Sequence, residues 1–263
     1  MTSITIGSLF SGIGGLDLAV ESVTGGRVAW QCERDKYARS VLARHWPGLP
    51  IFEDIKKLHD APAVDALCGG FPCQDISLAG SREGIEHGKK SGLWREFARI
   101  IREIRPRYVF LENVAAITTA GLGIVLGDLA ACGFDAEWGC LRACDIGAPH
   151  IRNRWFLFGW LADGATSRPI SDANSEQLRQ QRQRLSVTHC QPGAAEPADI
   201  SPARPRAIDQ RRWDNLPTST IRGGPNGVPG GLDVPKQLRC LGNAVVPQQG
   251  AEAFRQLIKR SGQ

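Results

Sequence analysis

Cys73 stands between Pro72 and Gln74, just after an apolar run, in "DALCGGFPCQDIS" (65–77). A cysteine so placed can be a buried inert thiol, a metal ligand, half of a disulfide or a nucleophile, and it attacks only as the thiolate. The surroundings suit attack. The run before it reads as a strand and the stretch after it as a Gly- and Ser-containing loop, which gives exposure. Pro72 fixes the backbone and offers no N–H, while Gly69 and Gly70 admit another group at close range. Cys68, inside the apolar run, reads as the inert kind. Two other stretches carry groups that could assist a thiolate. "RYVFLENV" ends on Glu112-Asn113-Val114, and "PHIRNRWFLFG" contains Arg152 and Arg154. A carboxyl group can give or share a proton, and guanidinium groups favour a thiolate and bind carbonyl or phosphate oxygens.

A second chemistry is suggested near the N-terminus. "GSLFSGIGGLDLAVE" puts Gly12, Gly14 and Gly15 directly between a strand and a helix, where backbone N–H groups can meet a ligand. The spacing differs from the G-x-G-x-x-G of dinucleotide folds, so a tight turn is the plain alternative. Glu33, about twenty residues on at the end of the next strand, is where a ribose diol would be bound; otherwise it begins the following helix with a favourable charge.

These groups need elements that bring them to one edge. Residues 1–160 alternate short apolar strands ("SITIGSLF", "GRVAWQCE", "VDALCGG", "RYVFLENV", "RWFLFGWL") with amphipathic helices, the pattern of a doubly wound α/β sheet. In the helical "GLWREFARIIREIRP", Leu93, Phe97, Ile100, Ile101 and Ile104 recur at helical spacing and Pro106 follows as a stop. From about Asp163 the periodicity gives way to Pro, Gly, Ser, Gln and Arg, and Trp213 is the single aromatic residue between 163 and 235. Such a segment buries little alone and is expected to form a small, irregular module on the main domain. Order returns in "LRCLGNAVVPQQGAEAFRQLIKR", with a helix expected from about Pro247.

The 263 residues, 42% hydrophobic, suffice for one large α/β domain with an appendage. The absence of a long apolar run or an export-like start gives a soluble, cytoplasmic expectation with no membrane partner. In that setting the 8 cysteines are expected to be reduced thiols, and no zinc-site spacing is present, so no metal is expected. The net charge of +5 suits an anionic partner without specifying one.

The ordered set F-S-G-I-G-G (10–15), the acid at 33, Asp54-Ile55, P-C-Q (72–74), E-N-V (112–114), R-N-R (152–154) and G-N-A-V-V-P (242–247) resembles the cytosine-C5 DNA methyltransferases. The likeness covers about 1–160 and 236–263. It implies a Rossmann-like sheet that binds S-adenosylmethionine, divided into a catalytic and cofactor domain (1–161), a target-recognition module (162–235) and a returning segment (236–263). It implies that the Cys73 thiolate adds to C6 of a flipped-out cytosine in double-stranded DNA, that Glu112 holds N3 and the exocyclic amine, and that Arg152 and Arg154 hold O2 and a phosphate.

For the cofactor, the resemblance carries roles to Phe10, Gly12 and Gly15 at the amino-acid end and Glu33 on the ribose. Asp54 and Ile55 fall on the adenine, Gly70, Pro72 and Leu93 along the methyl path, and Asn243 and Ala244 in the returning segment. Arg34 departs from the apolar or aromatic residue usual after the ribose acid, and His150 from the glutamine usual before R-x-R. A monomer is implied, able to act without a cognate restriction endonuclease. A transfer-RNA methyltransferase of the same family and an inactive DNA-binding relative are the alternatives.

Two basic stretches suit DNA. "LAGSREGIEHGKKSG" (78–92), with Arg82, Lys89 and Lys90, reads as a solvated loop or, rooted at Cys73, as a lid that closes on phosphates. The 163–235 segment has nine arginines, no lysine and eight acids, and its "LRQQRQR" places Arg179, Arg182 and Arg184 for groove contact or on a solvated helix.

Overall fold

Strands form where apolar and β-branched residues run together, and in the computed structural model seven of them build one mixed sheet. The structure describes residues 3–72, 92–162 and 240–263. In chain order the strands are β1 (Thr5–Leu9), β2 (Arg27–Cys32), β3 (Ile51–Phe52), β4 (Ala66–Gly69), β5 (Tyr108–Val114), β6 (Phe134–Arg142) and β7 (Asn153–Leu161). The helices are α1 (Gly15–Thr24), α2 (Lys36–His45), α3 (Gly92–Ile104), α4 (Ile117–Ala120), α5 (Leu122–Ala131) and α6 (Pro247–Ser261). The sheet order is β3-β2-β1-β4-β5-β7-β6, with β7 antiparallel to both its neighbours and the other pairings parallel.

This order has a functional consequence. From β1 the chain winds outward to β2 and β3, then returns to place β4 on the other side of β1. At such a switch point the loops after β1 and β4 part in opposite directions and leave a crevice at the carboxyl ends of the strands. The Gly12 turn and the Gly70-Phe71-Pro72 stretch are the two loops concerned.

Alternation along the strands sends side chains to two covered faces. Val109, Leu111, Trp155 and Leu157 join Trp94, Phe97, Ile101 and Leu129 from α3 and α5 on one face. Phe110, Phe156 and Phe158 join Leu16 and Val20 of α1 and Phe254 and Leu257 of α6 on the other. The apolar spacing in α3 is the one expected from the sequence. Arg105 at φ +50° ends the helix, and Pro106 cannot continue it. α2 is capped by Asp35, which accepts from the N–H groups of Tyr37 (2.8 Å) and Ala38 (3.0 Å). α6 carries its proline in the first turn, as expected. α6 is sequence-distant from α1 yet packs against it, so the end of the chain completes the core.

One polar group lies inside this frame. The fully buried Asp17 carboxylate accepts from Ser8 Oγ of β1 (2.6 Å) and Gln31 Nε2 of β2 (2.6 Å), with the Cys68 thiol of β4 at 3.9 Å. It ties the three central strands together directly beneath the glycine turn. Burial pushes its pKa from 3.8 up to about 6, although the bonds from Ser8 and Gln31 pull the other way. Between those values the folded protein binds the proton that the unfolded chain has released, so this group's contribution to stability falls as pH rises from about 4 to 6. Asp17→Asn is therefore expected to flatten that fall, by roughly 3 kcal/mol over the window. Urea unfolding at several pH values checks it; an unchanged slope would refute the assignment.

Candidate active site

Glu112 and Arg154 meet because of strand register. Glu112 is paired with Phe156 and Val114 with Arg154 across the antiparallel β5–β7 ladder, so Glu112 and Arg154 are diagonal neighbours on one face. Arg154 Nε lies 3.0 Å from Glu112 Oε1. Glu112 is buried, its side chain 11% exposed, toward the carboxyl end of β5. Burial raises its pKa from 4.5 to about 7, against the pull of Arg154 and then Arg152. A carboxyl group tuned in this way can hold or release a proton near neutrality.

Gly70 makes room for it. A Cβ on Gly70 would lie 2.9 Å from Glu112 Oε2, so any larger residue would press on the carboxylate. Asn113, for which the sequence alone suggested no task, donates from Nδ2 to the Phe71 carbonyl (2.9 Å) and accepts the Val114 N–H on Oδ1 (2.8 Å). A buried side chain of β5 thereby fixes the backbone two residues before Cys73. Cys73 itself lies outside the described residues, as do Arg82, Lys89, Lys90, Arg179, Arg182 and Arg184. Pro72 and Leu93, on either side of the segment that carries Cys73, are both half-buried.

Arg152 sits at φ +22° and turns toward the returning segment. Its guanidinium donates to the carbonyls of Gly242 (2.9 Å) and Ala244, while Gln249 Nε2 donates to the carbonyls of Leu141 (2.7 Å) and Arg152 (2.9 Å). The R-x-R strand and the start of α6 are thus stitched to each other. Burial, and then the nearby Arg154, hold the Arg152 guanidinium below its ordinary pKa. Asn243 is exposed and Ala244 half-buried in the same segment.

At the β1 turn, Phe10 takes φ +55° and its ring stacks on Phe97 at 6.3 Å. The glycines have three different reasons to be there. Gly12, at φ +56°, has open space where a side chain would stand. A Cβ on Gly14 would strike the Trp46 ring at 2.4 Å, and one on Gly15 would strike the Val245 carbonyl oxygen at 2.3 Å. Gly12 N–H donates to Glu33 Oε2 (2.8 Å), and Glu33 Oε1 accepts from Asp35 N–H (2.7 Å). Each oxygen keeps lone-pair capacity for a further donor.

Beside Glu33 opens a cleft of about 520 Å³ lined by Phe52, Asp54 and Leu58, with Arg34, Arg39, Glu53 and Lys57 around it. Asp54 caps the short turn Ile55–Lys57 by accepting from Lys56 N–H (3.0 Å), and Ile55 is buried. An open glycine turn, the Glu33 carboxylate bonded to it and an adjoining cleft lined by Phe52, Leu58 and the Asp54 carboxylate make a donor and acceptor set that fits a nucleoside-bearing cofactor. No group of metal-ligating side chains occurs among the described residues, and no helix there is long and apolar enough to cross a membrane.

The sheet and its switch-point crevice define the Rossmann-like methyltransferase class. The chain belongs to the C-5 cytosine-specific DNA methylases, whose family model matches residues 4–221. Among curated relatives, the type II methyltransferase M2.BsuMI of Bacillus subtilis is 33% identical over 177 residues, covering 64% of this chain and 45% of the relative. The type II methyltransferase M.CviJI of a Paramecium bursaria Chlorella virus is 36% identical over 171 residues, covering 64% and 46%. The chain spans about half the length of the curated relatives it matches. The fold is also that of the Entamoeba histolytica methyltransferase EhMeth, with a TM-score of 0.61, 14% identity and 99% of both chains covered.

Proposed function

We propose that this protein is a DNA (cytosine-5-)-methyltransferase that uses S-adenosylmethionine. The observation that carries this reading is the buried Glu112 carboxyl, held by Arg154 and opening toward Gly70, with Asn113 anchoring the backbone that leads to Cys73. In this reading 1–161 is the catalytic domain, 162–235 the target-recognition module and 236–263 the segment that returns to close the core.

The chemistry follows from the weakness of cytosine C5 as a nucleophile. Addition of the Cys73 thiolate to C6 turns C5 into an enamine carbon, and negative charge builds on the ring at N3. Glu112, protonated, donates to N3, while its second oxygen accepts from the exocyclic amine. Arg154 orients that carboxyl group and, with a rearranged Arg152, presents donors to O2 and a phosphate. Bound S-adenosylmethionine supplies an electrophilic methyl group. Once C5 carries the methyl, loss of the C5 proton to water forms the C5–C6 double bond and expels the Cys73 thiolate, and the N3 proton returns to Glu112. The cytosine must leave the duplex to reach this crevice.

The residues proposed to hold the cofactor are Phe10, Gly12 and Gly15 at the amino-acid end, Glu33 at the ribose, and Asp54 and Ile55 at the base. Gly70, Pro72 and Leu93 line the methyl path, and Asn243 and Ala244 close the site. Arg34, exposed at the cleft, has its guanidinium available to lie on the adenine in place of an apolar ring.

Bisulfite sequencing of DNA from cells expressing the protein is expected to reveal protected cytosines in one recurring sequence context. Unprotected DNA alongside methylated transfer RNA would assign the substrate to RNA instead, and methylation of neither would refute the activity. For the lid, the double substitution Lys89→Ala, Lys90→Ala is expected to weaken DNA binding and lower the slope of log affinity against log salt by about 2. An unchanged slope in a fluorescence binding titration would remove these lysines from the DNA contact.

A further inference from the structure

The residues lining the cleft beside Glu33 come from two segments, one after β2 (Arg34, Arg39) and one around the turn after β3 (Asp54, Lys57, Leu58). On the β2 side, Arg39 donates to the carbonyls of Glu33 (3.2 Å) and Arg34 (2.7 Å) and is steadied by Glu53 at 2.8 Å. The second segment contains the single turn Ile55–Lys57, closed by the bonds from Lys57 N–H to Asp54 (3.0 Å) and from Leu58 N–H to Ile55 (3.2 Å). So short a turn is not stable alone.

What holds it is Arg99, from the middle of α3. Its Nη2 donates to the Ile55 carbonyl (2.9 Å) and its Nη1 to the Leu58 carbonyl (3.1 Å), so one planar group grips both ends of the turn. The guanidinium is itself fixed by Glu96 at 2.9 Å and Glu103 at 2.8 Å, one turn to either side on α3. Each of its three nitrogens is engaged, which is the condition for a rigid clamp rather than a loose surface cation. Asp54, which immediately precedes Ile55, can only face the cleft at a defined height if this turn is set at a defined height.

We propose that Arg99 is a positioning residue for the base end of the cofactor: by clamping the Ile55 and Leu58 carbonyls it aims Asp54 at the exocyclic amine of adenine. This rests on the reading that the protein binds S-adenosylmethionine. Arg99 does not touch the ligand. It acts through the turn, and it registers that turn against α3, the helix that follows the segment carrying Cys73 in the sequence.

The test is calorimetric binding by the full chain of two probes, S-adenosylhomocysteine and S-inosylhomocysteine, the second having a carbonyl where adenine has its amine. The wild type is expected to prefer the adenine probe by at least about tenfold, since a site built around an amine leaves Asp54 facing a carbonyl otherwise. Arg99→Met is expected to bind S-adenosylhomocysteine about tenfold more weakly while changing the inosine probe by less than about twofold, so the preference collapses. In turnover, KM for the cofactor rises and kcat is kept.

General loosening of the fold would weaken both probes by the same factor, because it only lowers the competent fraction. Equal losses for both probes, or no loss for either, would therefore overturn the proposal. Should Arg99→Met not fold, Arg99→Lys carries the test: an ammonium reaches one carbonyl but cannot span both, so the same collapse at smaller amplitude is expected, and wild-type preference would overturn it. A wild-type protein that bound neither probe would remove the cofactor reading itself, an outcome distinct from a wild type that binds both and an Arg99 variant that discriminates normally.

Discussion

Cys73→Ala is expected to lower methyl transfer to DNA by more than about a thousandfold, the scale at which a covalent route is lost rather than slowed. Everything in the proposed chemistry that activates C5 passes through the C6–sulfur bond, and the two thiols nearest Cys73 in the sequence cannot substitute. Cys68, the nearest in sequence, is fully buried beside Asp17, and burial pushes its pKa well above the ordinary thiol value. Cys32 is likewise pushed up to about 12, chiefly by burial. Neither forms a thiolate at neutral pH. The measurement is transfer of tritiated methyl groups to DNA, with binding of S-adenosylhomocysteine as the control for a folded cofactor site. Binding should persist, because Cys73 is not among the residues proposed to hold the cofactor, and those proposed for its amino-acid, ribose and base ends lie just after β1, β2 and β3. A Cys73→Ala protein that still labelled DNA would overturn the mechanism.

Glu112→Gln is expected to lower kcat/KM for DNA about a hundredfold and to remove a pH dependence that the wild type shows. The sign is set by which form works. Donation to N3 needs the protonated carboxyl, and its pKa in the free protein is about 7, so wild-type kcat/KM falls as pH rises through that value. The amide cannot titrate, so this alkaline limb should be absent from Glu112→Gln; a limb that persisted unchanged would take the titration away from Glu112. The same substitution has a stability signature. Between pH 4.5 and about 7 the folded protein keeps the Glu112 proton that the unfolded chain has lost. Stability therefore falls with rising pH across that window, by roughly 3 kcal/mol, and the amide removes that slope. Chemical denaturation of the two proteins in parallel reads the difference.

The substitution at Asp17 tests an overlapping window that ends at lower pH, and the two together separate a structural carboxyl group from a proposed catalytic one. Both pKa values are raised, and desolvation is the larger cause in each case. The partners differ. Asp17 is satisfied by the neutral side chains of Ser8 and Gln31 inside the sheet, whereas Glu112 faces a guanidinium at the rim of the crevice. Only the second arrangement leaves a protonatable oxygen beside a gap, the one kept open by Gly70.

Much of the framework was legible in the sequence because it is written in local periods. The apolar runs gave β1, β2, β4, β5 and β7, the 3–4 spacing in "LWREFARIIREI" gave α3, and Pro247 marked the start of α6. The two edge strands were not legible. Ile51–Phe52 is only two residues long, and Phe134–Arg142 mixes Asp, Glu, Gly and Arg among its apolar residues, so neither carries a strand pattern of its own. They are strands because β2 and β7 offer them partners. The antiparallel setting of β7 was equally hidden, since direction is decided by how the chain returns and not by residue type.

For the site, residue types and order determined the candidates: a cysteine after Gly-Gly-Phe-Pro, a carboxyl at the end of one strand, two arginines entering another, a glycine turn and an acid twenty residues on. Tertiary structure decided what those groups do to one another. The β5–β7 register put Arg154 on Glu112, and burial moved that carboxyl's pKa to near neutrality. It turned Arg152 onto the returning segment and gave Asn113 its bond to Phe71. Asp17 and Arg99, which residue type and spacing did not single out, became a buried tie among three strands and the clamp on the turn after Asp54. The reason is the range of the forces involved. Periodicity and turn chemistry act over a few residues and leave their mark in the chain, whereas desolvation and directed hydrogen bonds depend on which distant segments the sheet order brings within 3 Å or so of each other.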